Sequence, residues 1–533
     1  MHVQAKFLAA AAAITAVPCA VAAAPQNPFA EGERWSHSPL PTATAWMPDD
    51  ALFAGDDSFV WTAQRGADRV LRLLDAVADG PQEARGVVTR TADEFGAPII
   101  STGTRGDAVF ALRQFESPTA FIRQPLVFGF DPTIAADGDE MAPSWTHDLD
   151  VRINGPVRLE ADSRGDVVVA AAWSNTAGSV RLDVLDGTDG TLLGRVDLPA
   201  FSLNALAVSG DGSRIAVVAG LTLYVLDGLA TPLHTEALAT ATQALALSQN
   251  GSTLVHGDIG AIHLFQEQPS GSYSLSQSYA GSNSELASGV AASEDGSFIA
   301  VSWWNYVDGA GARYEIYDSV FQFALASHTQ VAPPGALQNL PISTKITADG
   351  HRAAFASWGN GSEPEVVLLE LAGSGPSLEV DLPGSSRGMD LDATGTRVVV
   401  GHKDVHSSVF GARGAIRVVD TGERPLVLTA TPTLGGTLEA AAIEPGSFGG
   451  WFILGPKAAA PLTYPGVSGS LLLQRNKLTV FGRQSDASGR IDLSLPIPND
   501  ASMLGQQMHM QAAFRTPQGL KFTPSLVSPF LVQ

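Results

Sequence analysis

An all-β chain assembled from repeated sheets is predicted by three observations. A polar Asp-Gly turn running into an apolar strand recurs. Ser209–Val218 reads SGDGSRIAVV, and its relatives are ADSRGDVVVA (161–170), SQNGSTLVHG (248–257), SEDGSFIAVS (293–302), TADGHRAAFA (347–356) and DATGTRVVVG (392–401). The turn glycines Gly55, Gly106, Gly165, Gly212, Gly251, Gly296, Gly350 and Gly395 lie 39 to 59 residues apart, which brackets a four-stranded unit with loop insertions. Turn formers abound, with 54 Gly and 33 Pro, whereas helical spacing is hardly sustained; Asp68–Val77 is the one stretch that carries it.

A lone unit of this kind exposes apolar faces on both sides, so it is stable only against copies of itself. Closing the stack into a ring removes the unpaired ends. The prediction is therefore a seven- or eight-bladed β-propeller over 51–432, followed by a small antiparallel β-sandwich over 433–533. At 533 residues the chain exceeds what one hydrophobic core supports, and both a repeat array and a second domain are expected.

Taken in order, residues 1–23 read as an export signal. Lys6 gives the positive region, Phe7–Val17 the apolar core, and Val21-Ala22-Ala23 the small residues for cleavage, so the mature chain starts near Ala24. The expected destination is periplasmic, secreted or cell-surface. Cys19, the single cysteine, lies inside this signal behind Pro18, which does not suit a lipoprotein signal. The mature chain then has no disulfides or thiolate ligands. Residues 24–50, rich in Pro, Ser and Thr, read as an extended lead-in.

Within the repeats, a further strand ends on or near an acidic residue: RLDVLD (181–186), LYVLD (223–227), YEIYD (314–318), VVLLE (366–370) and IRVVD (416–420). This is a strand–hairpin–strand rhythm. On these phrases the chain resembles the WD40-like and YVTN-like β-propeller superfamily, and VLDGTDGTLLGRVDLP (184–199) is similar to the blade hairpins of quinoprotein-type propellers. The Gly-His…Trp-Asp signature is missing, and Gly194 stands where a quinone-docking tryptophan is expected.

From about Thr433 the rhythm changes to GSLLLQ (469–474), KLTVFG (477–482) and the alternating Arg490–Leu495, as in a small sandwich. The run LSLPIPND…GQQMHMQAAF resembles a C-terminal β-module that ends exported proteins of environmental bacteria. That resemblance implies an accessory role in surface association or sorting.

The net charge of −22 is spread along the chain, which disfavours nucleic acid and anionic lipid as partners. No later run is apolar enough to expect a membrane-spanning helix. A monomer that meets an extracellular protein or glycan is the expectation.

Searching for chemistry gives no Gly-x-Ser-x-Gly elbow, P-loop, His-Glu-x-x-His or EF-hand loop. Asp186, Asp189, Asp211 and Asp295 sit in acidic glycine turns. Each turn supplies one or two carboxylates, whereas calcium requires six to eight converging oxygens. They read as hairpin turns. The acidic Asp137-Gly138-Asp139-Glu140 reads as a solvated insertion.

Seven or eight residues after the turn glycine, strands end at Trp173-Ser174-Asn175, Trp303-Trp304-Asn305 and Trp358-Gly359-Asn360, with His402 at the same offset. Propeller geometry would gather these ends on one rim. Trp173, Asn175, Trp303, Asn305, Trp358 and Asn360 are thus candidate ligand contacts, able to stack an apolar face and hydrogen-bond its polar edge. Wedging between blades is the competing reading. His402, Asp404 and His406 share one strand face if the strand runs through them, a spacing suited to a divalent metal. No cofactor is otherwise expected.

Three functions remain open from sequence. The leading one is an exported non-catalytic binding or scaffold protein whose propeller presents a carbohydrate or protein face. The others are a propeller enzyme, as a lactonase-like metal hydrolase or quinone-dependent oxidoreductase, and a structural cell-surface component.

Overall fold

A computed structural model describes residues 32–37 and 47–531, apart from 55–58, 66–68, 77–83, 104–107, 117–121, 133–138, 175, 241–242, 283–284, 306–310, 320–323, 332–338, 360, 362, 372–375, 393–394, 407–412, 422–425, 429–435, 444–446, 465–466, 469, 487–488, 500–506, 518 and 524–526. The export signal, Asn175 and Asn360 lie outside the described residues.

The fold is an all-β propeller. Its eight inner strands are Met47–Ala54, Glu94–Thr102, Val157–Ala161, Leu203–Val208, Leu245–Leu247, Glu285–Ala292, Pro341–Ile346 and Ser386–Leu391, and they begin blades 1 to 8 in that order. Blades 3 to 7 are four-stranded antiparallel sheets in strict chain order. Blade 8 takes its fourth, outer strand from Gly32–His37, so residues that read as lead-in close the ring. Blade 1 gains a fifth strand, Asp139–Glu140, which pairs in parallel with Gly86–Val87. Glu140 also accepts the Thr89 amide at 2.7 Å, so this half of the acidic insertion is tied to a sheet edge.

Apolar side chains fill each space between neighbouring blades. Phe53 and Val60 of blade 1 meet Val399, Ile416 and Val418 of blade 8 in one buried cluster, closing the circle between last and first. Elsewhere the same pattern repeats, as where Val169 and Leu182 of blade 3 meet Ile215 and Val217 of blade 4. A middle strand is therefore buried on both faces. This explains Arg69–Asp75, which carries helical spacing in sequence but is the third strand of blade 1. Val70, Leu71 and Leu73 pack toward blade 2 and Leu74 toward blade 8, so apolar residues at mixed spacing serve two interfaces.

The chain divides into one compact unit over Glu33–Val419 and another that takes up Asp420–Gln533. In the latter, Leu426–Leu428, Thr437–Ile443 and Arg490–Pro496 form one sheet. A second is built around Gly450–Gly455 and Gln507–Thr516. Leu438, Ala440, Ile491 and Leu493 of the first sheet pack on Phe452, Leu454, Met510 and Phe514 of the second.

Candidate functional site

The recurring turn is a local hydrogen-bond device. Ser209 Oγ accepts the Arg214 amide at 3.0 Å and donates to Asp211 Oδ1 at 2.7 Å. Asp211 Oδ1 also takes the Ser213 amide at 3.0 Å, and Gly212 adopts φ +70°. Ser248, Ser293 and Thr347 repeat the arrangement in the next three blades. These hydrogen bonds hold the Asp211, Asp295 and Asp349 carboxyls below the usual carboxylate range despite partial burial.

Neighbouring turns are linked by backbone bonds around the channel. Asp211 N donates to Gln249 O at 2.8 Å, Gln249 N to Glu294 O at 2.9 Å, and Glu294 N to Ala348 O at 2.9 Å. Each described turn glycine, from Gly165 to Gly395, also sits against the start of the second strand of the preceding blade. A Cβ on Gly251 would lie 2.4 Å from Arg214 Cγ, and one on Gly350 would lie 2.3 Å from the Phe298 ring. Glycine is required there for both conformation and closeness.

Inside this collar of turns lies a cavity of about 430 Å³ at the channel mouth. Its wall follows a simple rule: the residue five before each turn glycine from Gly165 to Gly395 lines it. Glu160, Ala207, Ala246, Ala291, Lys345 and Asp390 all obey it and all line the cavity. Asp50 and Ser101 hold the same sequence offset in blades 1 and 2. The ring is thus lopsided, with charged groups on blades 7, 8, 1 and 3 and alanine on blades 4, 5 and 6.

Lys345 is the cation that the carboxylates share. Its ammonium is 3.1 Å from Asp390 Oδ1, and Asp390 Oδ2 accepts the Phe53 amide at 3.0 Å. One carboxylate therefore links blades 7, 8 and 1. Asp390, together with Glu160 and Asp50, holds the lysine's proton more firmly than usual. Burial pushes Asp50 up to about 6, against the pull of Lys345. Glu160 is exposed to channel water yet ringed by protein, and that enclosure pushes its carboxyl up to about 7. Asp162, at the collar, is raised to about 6 by burial. The wall thus sets the carboxyls of Asp390, Glu160 and Asp50 around the Lys345 ammonium.

The residues singled out by sequence lie at the other ends of the blades. Trp303 is fully buried between blades 5 and 6, against Tyr279 with ring centroids 6.2 Å apart and under the Arg313 guanidinium at 5.1 Å. Trp173 is half-buried between blades 3 and 4, its indole N–H donating to Ala200 O at 3.1 Å. Trp358 is half-buried with Lys403 Nζ 5.5 Å from its ring. Asn305 ends its strand opposite Gly311.

His402, Asp404 and His406 are not brought together on a strand face, because the strand ends at Lys403. His402 is buried with Nδ1 on Lys403 O at 3.0 Å and Nε2 taking the Arg417 Nε–H at 3.1 Å. Asp404 is exposed, and His406 turns to Glu365 of blade 7, 3.2 Å away. Among the described residues, no three His, Cys, Asp or Glu side chains converge as a metal-binding group. The described residues also contain no helix long and apolar enough to cross a membrane.

The channel wall lies five residues before the turn glycine, whereas the candidates read from sequence lie seven or eight residues after it.

No protein-family model matches the chain, and no curated protein matches it. Solved structures that match include the C-terminal WD40 domain of Sif2, 10% identical with a TM-score of 0.48, over 72% of this chain and 98% of that one.

Proposed function

We propose that this is an exported, non-catalytic scaffold whose channel mouth, on the face of the Asp-Gly turns, receives a basic side chain of a protein partner. The observation that carries this reading is the lopsided ring five residues before the turn glycines. Carboxylates on one side suit an ammonium or guanidinium, and Ala207, Ala246 and Ala291 on the other suit an aliphatic stem.

Charge around the mouth supports the same partner. Asp162 and Glu294 line the cavity, and Asp211, Asp295 and Asp349 occupy the turns of the same face. A net charge of −22 would steer a cationic partner toward the protein at low salt. Export to the periplasm, cell surface or medium belongs to the proposal through residues 1–23.

A lysine-rich peptide carrying a fluorophore tests the reading by anisotropy. Saturable binding that weakens steeply with added salt, with none for a glutamate-rich peptide, is expected. Equal binding of both peptides, or none at low salt, overturns it.

A further inference from the structure

Gly359 and Gly361, at the opposite end of blade 7 from the cavity, lie beside a Glu–His pair that no hydrogen bond explains. Glu365 is 1% exposed and faces His406 of blade 8, with Oε1 3.2 Å from Nδ1. Both atoms are buried, and neither has a hydrogen-bond partner, because the two groups meet out of alignment. The other carboxylate oxygen, Oε2, is occupied by the Leu382 amide at 2.7 Å, which fixes Oε1 toward the imidazole.

Two glycines bring the backbone close to the pair. Gly359, at φ +61°, would place a Cβ 1.9 Å from Glu365 Oε1, and Gly361, at φ +77°, would place one 3.2 Å from the His406 ring. Asn339, fully buried at φ +62°, also has neither amide atom paired. It lies one residue from Leu340, whose carbonyl accepts the Trp358 amide at 3.0 Å. Unpaired buried polar atoms cost free energy that a ligand would recover.

We infer that Glu365 Oε1 and His406 Nδ1 are two ligands of a divalent first-row metal site of the Zn²⁺ type, with water or an incoming donor completing the shell. Carboxylate oxygen and neutral imidazole are ordinary ligands for such ions. Two of them, each about 2.0–2.1 Å from a tetrahedral centre, stand about 3.3 Å apart, close to the separation here. The histidine set expected from sequence is thereby re-sorted: His406 leaves His402 and Asp404 and joins a carboxylate from the neighbouring blade.

Co²⁺ added to the tag-free full chain, followed by its visible absorption, is the test. One saturable site displaced by Zn²⁺ is expected. Glu365→Gln and His406→Asn should each weaken it roughly tenfold or more. His351→Ala should not, since His351 lies exposed beside Asp349. Zn²⁺ should also raise the Tm of the natural protein and leave that of His406→Asn unmoved. His406 is partly exposed, so its variant is expected to fold. Absence of saturable Co²⁺ binding by the folded protein, or an affinity in both variants equal to that of the natural protein, overturns the site and marks the pair as a structural contact only.

Discussion

Asp390 holds Lys345 from the neighbouring blade at 3.1 Å while its second oxygen takes the Phe53 amide of blade 1 at 3.0 Å. The contact sits where the last blade meets the first. Asp390→Ala removes the acceptor of a buried amide and the partner of a half-buried ammonium. It should cost roughly 2–4 kcal/mol, and Asp390→Asn less, by urea unfolding. A loss below measurement would mean that the apolar seam alone closes the ring.

A loop glycine and a turn glycine, both at positive φ, offer a paired comparison. Gly178, at φ +65°, has no atom within 4 Å of a built Cβ, whereas Gly350, at φ +74°, would press the Phe298 ring at 2.3 Å. Gly178→Ala should cost about 1 kcal/mol of backbone strain. Gly350→Ala should cost a further 1–3 kcal/mol, roughly, for overpacking against an aromatic ring. Equal losses in thermal unfolding would refute interlocking of turn and preceding blade.

Trp303 lies seven residues after its turn glycine and Trp173 eight after its own, and the two differ in burial. Trp303→Ala empties a fully enclosed interblade position and should cost roughly 3–5 kcal/mol. Trp173→Ala should cost less, since Trp173 is only half-buried. Chemical denaturation of the two variants reads the order directly.

Acidity of the channel wall gives a pH signature. Asp50 is raised to about 6 and Glu160 to about 7, so each binds its proton more tightly folded than unfolded. Their contribution is fully present below the unfolded carboxyl values and is lost as pH rises through the folded ones. The Tm of an Asp50→Asn, Glu160→Gln variant, relative to the natural protein, should therefore climb from about pH 5 to about pH 8. A falling difference would mean that the carboxyls are more acidic in the fold.

The blades were legible in sequence because their signal is local. Ser209, Asp211 and Gly212 satisfy one another within a few residues, and the acidic strand ends at Asp186, Asp227 and Asp318 mark where the third strands stop. Closure by Gly32–His37 was not legible, since GERWSH has little apolar alternation and its partner strand lies at Gly414–Asp420. Glu160, Lys345 and Asp390 look unremarkable alone, because only the ring's curvature brings residues so far apart in sequence to one wall. Glu365 was overlooked for the same reason: its partner His406 belongs to the next blade.

The central claim is that the carboxylate side of the channel mouth holds a basic side chain. It is tested most directly by measuring the affinity of one lysine-rich peptide for three proteins: the natural chain, Glu160→Gln, and Trp358→Ala. The account predicts several-fold weaker binding in the glutamate variant and no change in the tryptophan variant. Loss with Trp358→Ala and full binding by the glutamate variant would contradict it, placing the partner on the opposite rim.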